Sequence, residues 1–284
     1  MSIRNAYSLK PDVMDAVNEL KEKFAGFDGK LLLYFASSKY NPETLSAKMS
    51  EVFPGTVSMG CTTSGEIIDG MPLLDNSIVA MMFSDKIIAD LSIQVINNID
   101  NEKCDLEEKF KGFEDHFKTS MTELDVDKYV GIILIDGLRN SEERLMENVC
   151  NHTNVVFIGG SAGDDLQFKE TRVFANGKSY TNAAVMALLK PSVKFSFLKT
   201  QSFKETGKCL TATKVVEAAR EVVEFDGKPA VGAYLEAIEA SREEADKLFM
   251  KHPVGLMFEG EPFVRSLRTF NGDSIAFFCN IIEG

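Results

Sequence analysis

One spacing constrains the fold more than any other feature of the chain. An apolar run "LLLYFAS" begins at Leu31, and 29 residues later the strand-like "TVSM" runs into Gly60. A second apolar run, "VGIILI", begins at Val130, and 29 residues later "VVFI" runs into Gly159. Between run and glycine each copy carries a helical pattern. In the first it is "NPETLSAKMSEVF", with Asn41 as cap and Pro42 at the first position; in the second it is "NSEERLMENVC", opened by Asn140 or Ser141. Short apolar runs on both sides of an amphipathic helix read as buried strands joined by a crossover, the signature of an α/β sheet.

The copies extend past their glycines. "SIVAMMF" follows the first, with "IIADLSIQVI" expected to pair with it. "RVFANGKSYTNAAVMALL" follows the second as a hairpin turning at "ANGK", with "AAVMALL" in the place of "SIVAMMF". Residues 97–128 read as a polar helical connector, and 11–27 as an amphipathic helix. The expected fold class is α/β: internally duplicated strand-helix-strand units forming mixed sheets with flanking helices, plus a mixed, largely antiparallel C-terminal subdomain. The expected domains are 1–190, with repeat units at about 31–86 and 130–190, and 191–284. In the latter "KFSFLKTQSF" alternates like a strand, "SREEADKLFMKH" reads as helix, and "NGD" at 271–273 turns a hairpin.

Loops leaving the carboxyl ends of parallel strands gather on one edge of such a sheet, where ligands bind. That edge receives "GCTTSGE" from one copy and "GGSAGDD" from the other. Glycine lets backbone approach a ligand, hydroxyls donate and accept, carboxylates favour an ammonium group and exposed amides favour a carboxylate. The candidate ligand-binding residues are therefore Gly60, Cys61, Thr62, Thr63, Ser64, Gly65 and Glu66 with Gly159, Gly160, Ser161, Ala162, Gly163 and Asp164. Asp165 adds a carboxylate, and Arg265 in "FVRSL" is a candidate for a ligand carboxylate. Their expected ligand is a small zwitterion.

Several classes are disfavoured. The formal net charge of -12 and pI near 4.9 repel phosphate backbones and anionic leaflets, so neither nucleic acid nor membrane is an expected partner. No apolar run approaches a membrane span and the start lacks a secretory signal, which makes cytoplasmic the expected location. The five cysteines form no C-x-x-C pair, and no metal site is expected. A cysteine-dependent hydrolase built on Cys61 lacks a histidine in either loop to serve as base. "GGSAG" lacks the dinucleotide fingerprint and the P-loop lysine, and two carboxylates follow where a phosphate would be repelled. No catalytic residue is assigned.

In their order along the chain, "GCTTSGEI", "DGL" before "GGSAGDD", "VFANGK" before "AAVMALL", and "HPVGL" through "FVRSLRTFNGDSIAFFCNIIEG" resemble the FIST family of sensory domains. The resemblance implies a non-catalytic cytoplasmic module for bacterial-type signalling that binds a small molecule, amino acids above all. It implies an output partner such as a chemoreceptor, histidine kinase or cyclic-dinucleotide enzyme; oligomeric state does not follow from it. The family pattern runs on past "EG", which implies a shortened or truncated member with part of its site missing, whose signal passes through a partner protein. Some relatives are haem-based nitric oxide sensors, so haem is the alternative cofactor, with His252 or His152 as ligand; no cofactor is otherwise expected.

Overall fold

The computed structural model describes residues 2–245, 247–258 and 260–284. The chain divides into two compact units, the first ending at Phe197 and the second starting at Leu198.

The first unit carries the duplication. Its first copy runs β1 (Ile3–Ser8), α1 (Val13–Lys23), β2 (Leu31–Ser37), α2 (Pro42–Val52), β3 (Val57–Thr63) and β4 (Ile78–Phe83). Its second runs β5 (Ile88–Asn97), α3 (Leu106–Phe117), β6 (Val130–Ile135), α4 (Glu142–His152) and β7 (Phe157–Ser161); the hairpin β8 (Val173–Ala175) and β9 (Lys178–Tyr180) precedes its last strand, β10 (Ala183–Pro191). The first sheet has the order β1-β4-β2-β3, continued by β8 and β9, and the second the order β5-β10-β6-β7. Strand for strand, the two four-strand orders are the same.

The register repeats too. β2 and β3 are parallel with Leu31 opposite Val57, and β6 and β7 are parallel with Gly131 opposite Phe157, 26 residues on in each. Apolar on both faces, these strands fill two kinds of core. Leu32, Tyr34 and Ala36 pack under α1 and α2, and Ile133 and Ile135 under α3 and α4. Leu31, Met59, Val130, Leu134, Val185 and Ala187 meet in one cluster between the sheets. The first unit is thus two mixed sheets face to face, each roofed by its own helices, which explains why its central strands read as uninterrupted apolar runs.

Four expectations are corrected. "IIADLSIQVI" does not pair with "SIVAMMF": as β5 it pairs antiparallel with β10, while β4 pairs with β1 and β2. Residues 97–128 are more than a connector, since α3 buries Phe110 and Phe113 against the second sheet as the counterpart of α1. The "ANGK" hairpin turns on Asn176 and Gly177, both at positive φ (44 and 82°), as a two-residue turn demands. It joins the first sheet, through β3, instead of its own copy's sheet. The alternating 194–203 forms no strand.

The second unit holds β11 (Ala212–Val216), β12 (Glu221–Phe225), β13 (Lys228–Pro229), α5 (Ala230–Ile238), α6 (Arg242–Ala245), β14 (Val254–Phe258), β15 (Glu261–Arg265), β16 (Leu267–Asn271) and β17 (Ser274–Phe277). β11, β12, β17 and β16 form an antiparallel sheet against which α5 buries Ala230, Val231 and Tyr234. β14 and β15 pair only with each other among the described residues. Of the helix expected from 241, Arg242–Ala245 is helical and 247–250 is turn; Asp246, within that expectation, lies outside the described residues.

Candidate functional site

The parallel pairs aim β2, β3, β6 and β7 at one rim of the first unit, and the two loops meet there. Gly163 N donates to Thr62 O at 2.9 Å, and Thr62 N donates to Arg172 O at 2.9 Å. Arg172 N donates back to Thr62 Oγ1 at 3.0 Å. Ser37 and Ser38, at the end of β2, donate to Asp165 Oδ2 at 3.0 and 2.6 Å. The fit is close: a Cβ on Gly163 would lie 2.6 Å from Ser64 Oγ.

The candidate residues separate by depth. Gly60, Cys61 and Thr62 are not loop at all but the buried end of β3. A Cβ on Gly60 would lie 2.1 Å from Tyr34 O, and one on Gly159 would lie 1.7 Å from Ile133 O. These two glycines occupy equivalent places in the repeat, and strand contact within each sheet already accounts for both. Gly160 differs, because a Cβ there would meet nothing within 4 Å. Ala162 is buried.

Buried carboxylates organise the rim. Glu66 is 1% exposed and accepts from Thr63 Oγ1 at 2.6 Å, Ser77 Oγ at 2.6 Å and Ser77 N at 3.2 Å. Asp164 accepts from the backbone of Phe168, Lys169 and Glu170 at 2.9, 2.6 and 3.1 Å. Asp136, at the end of β6, accepts from Leu138 N, Arg139 Nε, Asn182 N and the Thr171 hydroxyl. Each is buried with its oxygens spent on the loop around it, as a buried charge requires. Groups that reach solvent are the Ser64 hydroxyl, the Gly159–Ser161 backbone, and partly exposed Thr63, Gly65 and Asp165. Ser161 Oγ donates to Glu142 at 2.9 Å. Arg139, paired to Asp136 at 3.1 Å with its side chain 38% exposed, brings a cation.

Asp136, Arg139, Ser37 and Ser38 were not among the sequence candidates. Their signal was positional, since each follows an apolar run that turns out to be a rim-directed strand. Arg265 lies in the second unit, at the end of β15, where it donates to Val264 O at 3.3 Å.

Burial pushes the Cys61 thiol up to about 12, far from a nucleophile's range. No trio of histidine, cysteine and acidic side chains suited to a metal ion occurs among the described residues. The two histidines named for haem lie in different units of the chain. His152 closes α4 with its ring stacked on Phe110 at 5.3 Å and its Nδ1 2.7 Å from Asn148 O. His252 sits in a turn whose backbone carbonyl accepts from Tyr234 Oη at 2.9 Å.

A duplicated α/β unit whose two copies contribute one loop each to a shared rim defines the class of protein. The chain belongs to the FIST N domain family, a family of sensory domains, whose model matches residues 30–228. It is also 23% identical over 266 residues to the uncharacterized protein MJ1623 of Methanocaldococcus jannaschii, a match covering 84% of this chain and 50% of that one. The chain thus spans about half the length of this curated relative. No solved structure matches it. No described helix is long and apolar enough to cross a membrane.

Proposed function

We propose that the chain is a non-catalytic sensory domain that binds a small zwitterion, foremost an amino acid, at the rim where the two loops join. Occupancy passes to a signalling partner of the chemoreceptor, histidine kinase or cyclic-dinucleotide enzyme kind, with no resident cofactor. The observation that carries the reading is the Gly163 N to Thr62 O bond of 2.9 Å, which ties the second copy's loop to the first copy's strand. A ligand held by both loops would bias one mutual arrangement over others, the condition for transmitting occupancy. Arg139 suits the ligand carboxylate; Asp165 suits its ammonium group, because Glu66 and Asp164 are already committed inside. Non-catalysis is supported by the buried, protonated Cys61 thiol.

A thermal-shift screen of single amino acids, with haemin as a separate arm, tests this. A ligand at about 100 times its dissociation constant adds roughly 2.7 kcal/mol and moves the midpoint by several degrees. The proposal expects one class of amino acids to act, and Ser64→Ala to reduce the shift. A response to haemin alone would replace it with the gas-sensor reading.

A further inference from the structure

The outer edge of β7 ends the second sheet, and no strand covers it among the described residues. In the first copy the equivalent edge is closed: β8 lies antiparallel along β3, placing Phe174 opposite Gly60, and the Phe174 ring stacks on Tyr34 at 5.3 Å. Gly159 is the counterpart of Gly60, down to the neighbouring carbonyl that excludes a Cβ. Hydrogen bonds from Gly131 N to Val156 O and from Ala162 N to Ile135 O show that residues 156 and 162 face β6. By alternation Phe157, Gly159 and Ser161 turn their N–H and C=O groups outward.

Natural sheets protect such an edge with charge, proline or a bulge. Residues 155–163, "VVFIGGSAG", contain neither charge nor proline. Val156 and Ile158 stand 46% and 50% exposed beside it.

We propose that a second copy of this chain covers the edge, β7 pairing antiparallel with β7 about a two-fold axis at Ile158. Outward-facing residues must meet outward-facing residues, and this register satisfies that rule. It places Phe157 opposite Gly159 of the second copy and Gly159 opposite its Phe157, repeating the aromatic-over-glycine pair that closes the first copy. One strand thus supplies both halves of the match, so the contact is self-complementary and closes as a dimer. The second sheets of two molecules become one continuous sheet, and the paired strands lead directly into the rim loop at Ser161.

Sedimentation equilibrium across a concentration series is the test. The native chain should show a monomer–dimer equilibrium, and Ile158→Lys, which sets like charges opposite each other at the axis, should weaken it at least about tenfold, with the thermal midpoint unchanged at concentrations low enough that both chains are monomeric. Ile158→Cys probes the register. Residues opposed across a non-hydrogen-bonded pair have Cα atoms about 4.5 Å apart, within disulfide range. This variant should therefore cross-link on mild oxidation, above the background from exposed Cys150 and Cys209, while Leu166→Cys should not. A native chain that stays monomeric, a dimer untouched by Ile158→Lys, or an Ile158→Cys variant that fails to cross-link would overturn the proposal.

Discussion

The two copies in the first unit share strand order and register and differ at their loops. In the first copy β3 ends beneath a loop closed by Glu66, which binds Thr63 and Ser77 on its own copy. In the second the loop after β7 is folded by Asp164 and reaches across: its Asp165 takes hydroxyls from Ser37 and Ser38 of the first. The frame is set by packing on both faces of each sheet, which tolerates little change, so the copies remain alike there. The rim is set by a few buried carboxylates, each free to recruit different donors, so the copies diverge there. The asymmetry makes one shared rim in place of two separate ones.

If the frame is common to both copies, its glycines should respond alike. Gly60→Ala and Gly159→Ala each force a methyl against a strand carbonyl and should cost about 3 kcal/mol or more in urea unfolding; Gly160→Ala, with open space around it, should stay within ~0.5 kcal/mol. A tolerant Gly159 would break the equivalence.

The loops should separate under mutation. Glu66→Ala strands the Ser77 and Thr63 hydroxyls and should cost ~3 kcal/mol; Asp164→Ala strands three backbone N–H groups and should cost ~2 kcal/mol. Hydrogen exchange should show the first change loosening residues 63–77 and the second 164–170. Exchange spread evenly over both loops would mean they fold as one element.

Alkaline titration sharpens the contrast between a buried thiol and an exposed one. The Cys61 thiol moves from an ordinary 9.0 to about 12 in the folded chain because of burial. The unfolded chain therefore loses its proton first, and the contribution of Cys61, complete below about pH 9, declines by ~1.4 kcal/mol per pH unit as pH rises towards 12. Cys61→Ala should flatten the stability curve over that window, leaving the slope from Tyr40 and Tyr234, which burial also raises to about 12, and from Tyr34, which burial raises well above its ordinary value. An unchanged curve would place the thiol in water. The smallest effect expected is at Tyr34, whose buried hydroxyl has no hydrogen-bond partner among the described residues; Tyr34→Phe should raise stability by ~1 kcal/mol.

The paired 29-residue spacing revealed β2, β3, β6 and β7 because doubly buried strands leave an apolar signature that needs no partner to be read. β1 left no such trace: "IRNAYS" sets Arg4 beside Asn5 and Ala6 beside Tyr7, neither alternating nor running apolar, and becomes a strand through its pairing with β4, far along the chain. Asn176-Gly177 marks a hairpin, yet nothing local says which sheet it joins, and it crossed to the other copy. At the rim, glycines and hydroxyls announced both loops but not depth. Whether Glu66 points into the protein depends on Ser77, eleven residues on. Asp136 was legible only as the end of a strand, and its partners Thr171 and Asn182 come from a different stretch of the chain.

The most direct test of the shared rim is a double-mutant cycle read by calorimetric titration of the amino acid that gives the largest thermal shift. Ser64→Ala removes a hydroxyl from the first loop and Ser161→Ala one from the second. One ligand held by both loops predicts that each substitution weakens binding, and that the two effects are coupled by more than about 0.5 kcal/mol. Loss from one substitution only, or two strictly additive losses, would contradict a site built jointly by the two copies.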